Sequence, residues 1–102
     1  MSKTKKDISE LVREYIQSID PNAEIVLLFP QGKNMHEEVQ VFVLLPKKVD
    51  YATEQEYIET KYKVELESGL SLFIYVYNKE NWNKQFKNTP IYKKIQSEGI
   101  VL

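Results

Sequence analysis

Apolar residues recur at three- and four-residue steps early in the chain, at Ile8, Leu11, Val12, Tyr15, Ile16 and Ile19. That spacing places them on one face of a helix. Thr4, with Asp7 three residues later, can cap its start. Asp20-Pro21 ends it, because proline lacks an N–H and biases the preceding residue away from helical torsions. The pattern then changes. Glu24 to Phe29 is a short, nearly unbroken apolar run, and Val39 to Leu45 is another, with polar Glu37 and Glu38 before it. Runs of this kind suit strands buried on both faces. The loop between them is too short for a crossover helix, so the two strands should be antiparallel neighbours.

Thr53-Glu-Gln-Glu56 reads as a capping box. The helix it opens should run to about Ser68, with Ile58, Tyr62 and Leu66 as its buried stripe and Tyr57 and Val64 widening it. Gly69 can supply the left-handed turn that closes it. Leu70 to Tyr77 is a third strand, apolar and aromatic apart from Ser71. Asn78 can cap a short helix from Lys79 to about Phe86. Thr89 followed by Pro90 is a cap with proline at the first helical position. Ile91, Tyr92 and Ile95 line that last helix, Gly99 ends it, and Ile100 to Leu102 remain as an extended apolar tail.

The order α-β-β-α-β-α-α defines an α/β (α+β) domain in which helices pack on a small mixed or antiparallel sheet. No internal repeat, linker or low-complexity segment divides residues 1–102, so one domain is expected. A chain of 102 residues buries about two-thirds of the surface its unfolded form exposes, enough for one core. With three main strands the sheet has edges that need covering. The tail can fold back over one, or an edge can pair with another subunit.

Composition narrows the function. Cysteine is absent, which removes disulfides, thiol nucleophiles and thiolate metal sites. Lys plus Arg number 14 against 15 Asp plus Glu. That balance argues against non-specific nucleic-acid binding, which draws its affinity from a basic excess. No segment approaches the ~20 apolar residues of a membrane span, and no apolar stretch follows the N-terminal lysines as a secretory signal requires. A cytoplasmic protein is expected.

Few residues carry chemistry. His36, Glu38 and Gln40 alternate and would share one face of a strand, but two good ligands are too few for a closed metal site. His36 has no evident nucleophile or orienting group as a general base. Gln31, Gly32 and Lys33 are candidate phosphate contacts, in what is otherwise an ordinary polar turn. Trp82 can anchor an interface or stack on Phe86 one helical turn away. Of the seven tyrosines, Tyr15, Tyr62, Tyr75 and Tyr77 fit core or sheet positions.

Nearly the whole chain resembles the small stand-alone nucleotidyltransferases of the DNA polymerase beta superfamily, in a form associated with Bacteroidetes-type bacteria. The likeness is carried by Asp20 to Phe29, Val64 to Gly69, Tyr75 to Trp82, Thr89 to Tyr92 and Ser97 to Ile100. In that family Gly-Ser closes the first strand and Asp-x-Asp lies on the second. Two divalent ions then clamp the attacking and leaving oxygens, held by hard, charged oxygen ligands. Here Pro30-Gln31 stands in place of Gly-Ser. Proline offers no N–H and cannot take the positive φ open to glycine. Glu38-Val39-Gln40 stands in place of Asp-x-Asp, and the third strand has no carboxylate.

The resemblance therefore implies a catalytically inactive member of the fold that acts through protein binding. The partner it implies is a HEPN-type helical protein in a toxin–antitoxin-like or regulatory pair. A homodimer through a sheet edge or through Ile100 to Leu102 is the other partner expected. Two alternatives stand beside this reading. One is a divergent Mg²⁺-dependent transferase using Glu37 and Glu38, which would need a bulge to bring adjacent side chains to one face. The other is a nucleotide sensor using Gln31, Gly32 and Lys33. No metal or cofactor is expected outside the enzyme alternative.

Overall fold

A computed structural model describes residues 5–29 and 39–102 of the chain. Its elements run α1 (Lys5–Ile19), β1 (Glu24–Leu28), β2 (Val39–Leu45), α2 (Tyr51–Ser68), β3 (Leu72–Asn78), α3 (Lys79–Gln85), α4 (Pro90–Glu98) and β4 (Ile100–Val101). The fold is thus mixed α and β, in the expected order, with the tail added as a fourth strand. Among the described residues no helix is long and apolar enough to cross a membrane.

The strands lie in the order β3-β2-β1-β4. β1 is antiparallel to β2, with Val26 opposite Phe42. β2 is parallel to β3, with Phe42 beside Tyr75, because α2 returns the chain to the same end of the sheet. The sheet is therefore mixed. β1 and β2 are the central strands, which is why both are apolar on both faces. The tail takes the free side of β1: Val26 pairs with Val101 and Leu27 with Ile100, and the Leu102 N–H donates to the Ile25 carbonyl at 2.9 Å.

Alternation along the strands builds two cores, one on each face. Odd positions of β2, Val39 to Leu45, pack with Ile25 and Leu27 against Ile8, Val12 and Ile16 of α1 and Tyr57 and Val64 of α2. Val26, Leu28, Phe42 and Leu44 face the other way, onto Trp82 of α3 and Ile95 of α4. The layers are two helices, the sheet and two helices. Trp82 is buried in this second core, stacked on Phe86 at 5.0 Å between ring centroids and 4.9 Å from Tyr77.

Most helix ends fall where the cap residues place them. Asn78 accepts from the Asn81 N–H and Thr89 from the Tyr92 N–H. Gly69 closes α2 at φ 73°, a left-handed conformation that glycine adopts without strain. Gly99 serves a different need. Its backbone is extended, and a Cβ there would sit 2.6 Å from Val26 Cγ1 and against the Ile95 carbonyl oxygen. Only glycine lets the chain turn that tightly from α4 into β4.

Two expectations for α2 are corrected. Its cap is Asp50 rather than Thr53: the Asp50 carboxylate accepts from the Thr53 N–H at 2.8 Å and the Thr53 hydroxyl at 2.7 Å, so the helix begins two residues before the anticipated box. Its buried side is Tyr57, Thr60 and Val64. The anticipated stripe points outward instead, with Ile58 38 %, Tyr62 57 % and Leu66 87 % exposed. Tyr62 is accordingly no core residue. The buried tyrosine is Tyr57, which packs with Val64 into the core and whose hydroxyl donates to Asp20 Oδ2 at 2.8 Å.

Candidate functional site

Of the residues singled out for chemistry, Pro30, Gln31, Gly32, Lys33, His36, Glu37 and Glu38 lie outside the described residues. Gln40 is described. It is the second residue of β2, half-buried, in register with Leu28 of β1 and Phe73 of β3. By alternation these three share the sheet face that carries Phe42 and Leu44. α3 and α4 cover the Leu44 end of that face, where Trp82 and Ile95 pack. Phe73, at the Gln40 end, is 44 % exposed. Gln40 thus stands between an aliphatic and an aromatic side chain, and neither of these neighbours is a charged oxygen ligand.

Glu24 is the acidic residue of β1. It lies four residues from Leu28, about 13 Å along the strand, and its carboxylate is 2.7 Å from the Lys79 ammonium. Hydrogen bonding to Glu24 and its negative charge raise the Lys79 pKa above the usual lysine value. This pair straps α3 to the end of the sheet away from Gln40. Among the described residues no group of three or more His, Cys, Asp or Glu gathers where a metal could sit.

A second polar cluster lies at the join of α1, β2 and α2. Asp20 accepts from Tyr57 and stands 3.6 Å from Lys47 Nζ. Burial, together with the hydrogen bond to Asp20 and its charge, pushes the Tyr57 phenol far above its usual range. A phenol held so firmly protonated is a donor, not a nucleophile. Glu65 ties the other end of α2 in the same manner, accepting from the Leu72 N–H at 2.8 Å as the chain enters β3.

Among the surface grooves that border these elements, two adjoin exposed aromatic or apolar side chains. One, of about 430 Å³, lies beside α3 and α4 and is lined by Trp82, Tyr92, Asn83, Gln96 and the Glu24–Lys79 pair. Its polar groups are largely committed to one another, Tyr92 donating to Asn83 at 3.3 Å. The other, of about 250 Å³, runs between α2 and β3, with Glu54, Tyr57 and Ile58 on one wall and Ile74 to Tyr77 on the other. Large apolar side chains are exposed along α2 beside it, Tyr51 at 75 %, Ile58, Tyr62 and Leu66, while Phe73 of β3 is exposed on the opposite face of the sheet and Ile100 and Val101 on the β4 edge. On its outer side β3 pairs with no strand among the described residues. Ile58, Tyr62 and Leu66, which periodicity places in a buried stripe, make up most of this surface.

No protein-family model matches the chain, and no curated protein matches it in sequence.

Proposed function

We propose that this chain is a catalytically inactive protein of nucleotidyltransferase-like fold that acts in the bacterial cytoplasm by binding another protein. The observation that carries the reading is the apolar stripe that α2 exposes, Tyr51, Ile58, Tyr62 and Leu66, beside an edge of β3 that pairs with no strand among the described residues. Scattered apolar side chains on a surface are ordinary, whereas a contiguous set of this size marks an interaction site. Gln40, flanked by Leu28 and Phe73, supports the inactive half of the reading, because the position matching the second aspartate of Asp-x-Asp carries no charge. The resemblance implies a toxin–antitoxin-like or regulatory pairing, with a HEPN-type helical protein as one candidate partner.

Calorimetric titration with ATP and the other nucleoside triphosphates, with Mg²⁺ or Mn²⁺ present, tests this. The expected result is no heat of binding at millimolar nucleotide. Binding that requires the metal would overturn the reading in favour of a divergent transferase and make Glu38→Gln the first variant to assay. Binding without metal, abolished by Lys33→Ala, would replace it with a nucleotide sensor.

A further inference from the structure

We infer that the partner this surface fits is a second copy of the chain, joined across a twofold axis by antiparallel pairing of β3 with β3 and α2 with α2. The inference rests on the protein-binding reading above and names the partner.

The first argument is the edge itself. β3 has seven residues, pairs with β2 in unbroken register, and holds no charge, proline or bulge from Leu72 to Asn78. Edge strands are ordinarily blunted by one of those devices, or by being short, as β4 is with its two residues. Every second N–H and C=O of β3 points outward. A helix cannot satisfy that row of groups, but a strand can.

The second argument is the direction of α2. Glu67 shares a groove with Leu11 and Tyr15, so that side of α2 faces α1. Ile58 shares a groove with Ile74 and Tyr75, so the opposite side overhangs β3. Tyr51, Ile58 and Tyr62 recur at intervals that keep them on that outer side. A strand added to β3 therefore needs a helix beside it to cover this stripe. The chain itself carries a strand and helix in that arrangement.

Register and charge agree on one axis. Tyr75 is the midpoint of β3, and Ile58 stands beside it across the groove. A twofold axis there sets Phe73 against Tyr77 of the other copy and Tyr75 against its equivalent, aromatic cross-strand pairs of a stabilising kind. Glu54 and Lys61 are seven residues, about two turns, apart on one flank of α2. Their midpoint falls between Tyr57 and Ile58. The same axis thus brings Glu54 of each copy to Lys61 of the other. The area is sufficient as well. Tyr51, Ile58, Tyr62 and Leu66 of α2 and Phe73 of β3 together expose about 600 Å² at about 200 Å² for a whole large side chain. Two copies then bury about 1,200 Å² before the strand edges are counted, the lower bound for a specific interface.

Sedimentation equilibrium of the full chain, from about 1 to 200 µM, is the test. The expected particle has twice the 12.1 kDa chain mass. Ile58→Glu should weaken the dimer at least about tenfold with the helical circular dichroism unchanged. Should Ile58→Glu disturb folding, Tyr62→Glu probes the same surface from a more exposed position. Glu54→Lys and Lys61→Glu should each weaken association, and the double swap should restore it, a result that only an antiparallel copy explains. Val101→Lys, on the β4 edge, should change nothing. A monomer at every concentration overturns the inference, as does a dimer that Val101→Lys dissociates and Tyr62→Glu leaves intact. A monomer that binds no nucleotide overturns the second copy alone. A dimer with metal-dependent nucleotide binding overturns the functional reading alone.

Discussion

Tyr57 shows how one residue decides the orientation of an element. Its ring is fully buried, and its hydroxyl reaches Asp20 just past the end of α1. Replacing it with phenylalanine keeps the packing and leaves Asp20 with Lys47 at 3.6 Å. Tyr57→Phe should therefore lower stability by about 1.5–3 kcal/mol, the usual range for a hydrogen bond to a charged group, read from urea midpoints at neutral pH. Its pH dependence has a definite sign. Burial and Asp20 raise the Tyr57 pKa above the unfolded value of about 10. The protonated form is favoured in the folded state, so this contribution is complete below pH 10 and is lost as pH rises above it. Stability of the wild type should fall above pH 10, and Tyr57→Phe should fall less steeply. Some slope should remain, because burial, and to a lesser extent Tyr75, also raise the Tyr77 pKa. Equal slopes in the two proteins would exclude Tyr57 as the titrating group.

At the scale of elements, those with a single apolar side were legible and the one with two was not. Ile8, Leu11, Val12, Tyr15, Ile16 and Ile19 form one apolar side of α1, with Ile8, Val12 and Ile16 buried and the other three packed on the same core at partial exposure. Proline and asparagine or threonine caps fixed α3 and α4. α2 offered two choices, Tyr57 with Val64 or Ile58 with Tyr62 and Leu66, and periodicity cannot rank them. The buried side is the one that packs on the sheet and reaches Asp20, thirty-seven residues from Tyr57, contacts invisible to local pattern. Its start was misplaced for a related reason: Asp50 and Thr53 are both good caps, and Asp50 holds both the N–H and the hydroxyl of Thr53. The tail was legible as apolar and extended, with its covering of an edge left open beside assembly. It covers β1 within the chain. Deleting residues 100–102 should then cost about 2 kcal/mol, from the half-buried Leu102 side chain and the lost backbone bonds. It should also leave β1 as a bare edge prone to aggregation. An unchanged urea midpoint would remove β4 from the fold's stability.

At the scale of the whole molecule, the candidate chemistry and the surface were legible to different degrees. The departures from Gly-Ser and Asp-x-Asp are plain in the sequence, and Gln40 sits among Leu28 and Phe73 as a neutral residue on an apolar face. The surface was hidden, because an exposed Ile58 or Leu66 has the same sequence signature as a buried one. Its consequence is thermodynamic. A chain that exposes this much apolar area next to an open strand gains stability from any species that binds the folded form alone. If that species is another copy, the folded state is stabilised by mass action, and its thermal midpoint must rise with protein concentration. A 100-fold increase well above the dissociation constant contributes about 1.4 kcal/mol per chain. For a domain of this size that corresponds to a midpoint shift of about 5–10 °C. The wild-type chain should show this shift between dilute and concentrated samples, whereas Tyr62→Glu, substituted on an exposed side chain, should melt at one temperature throughout. A wild-type midpoint that ignores concentration would mean that the stripe on α2 and the edge of β3 are filled by a different chain.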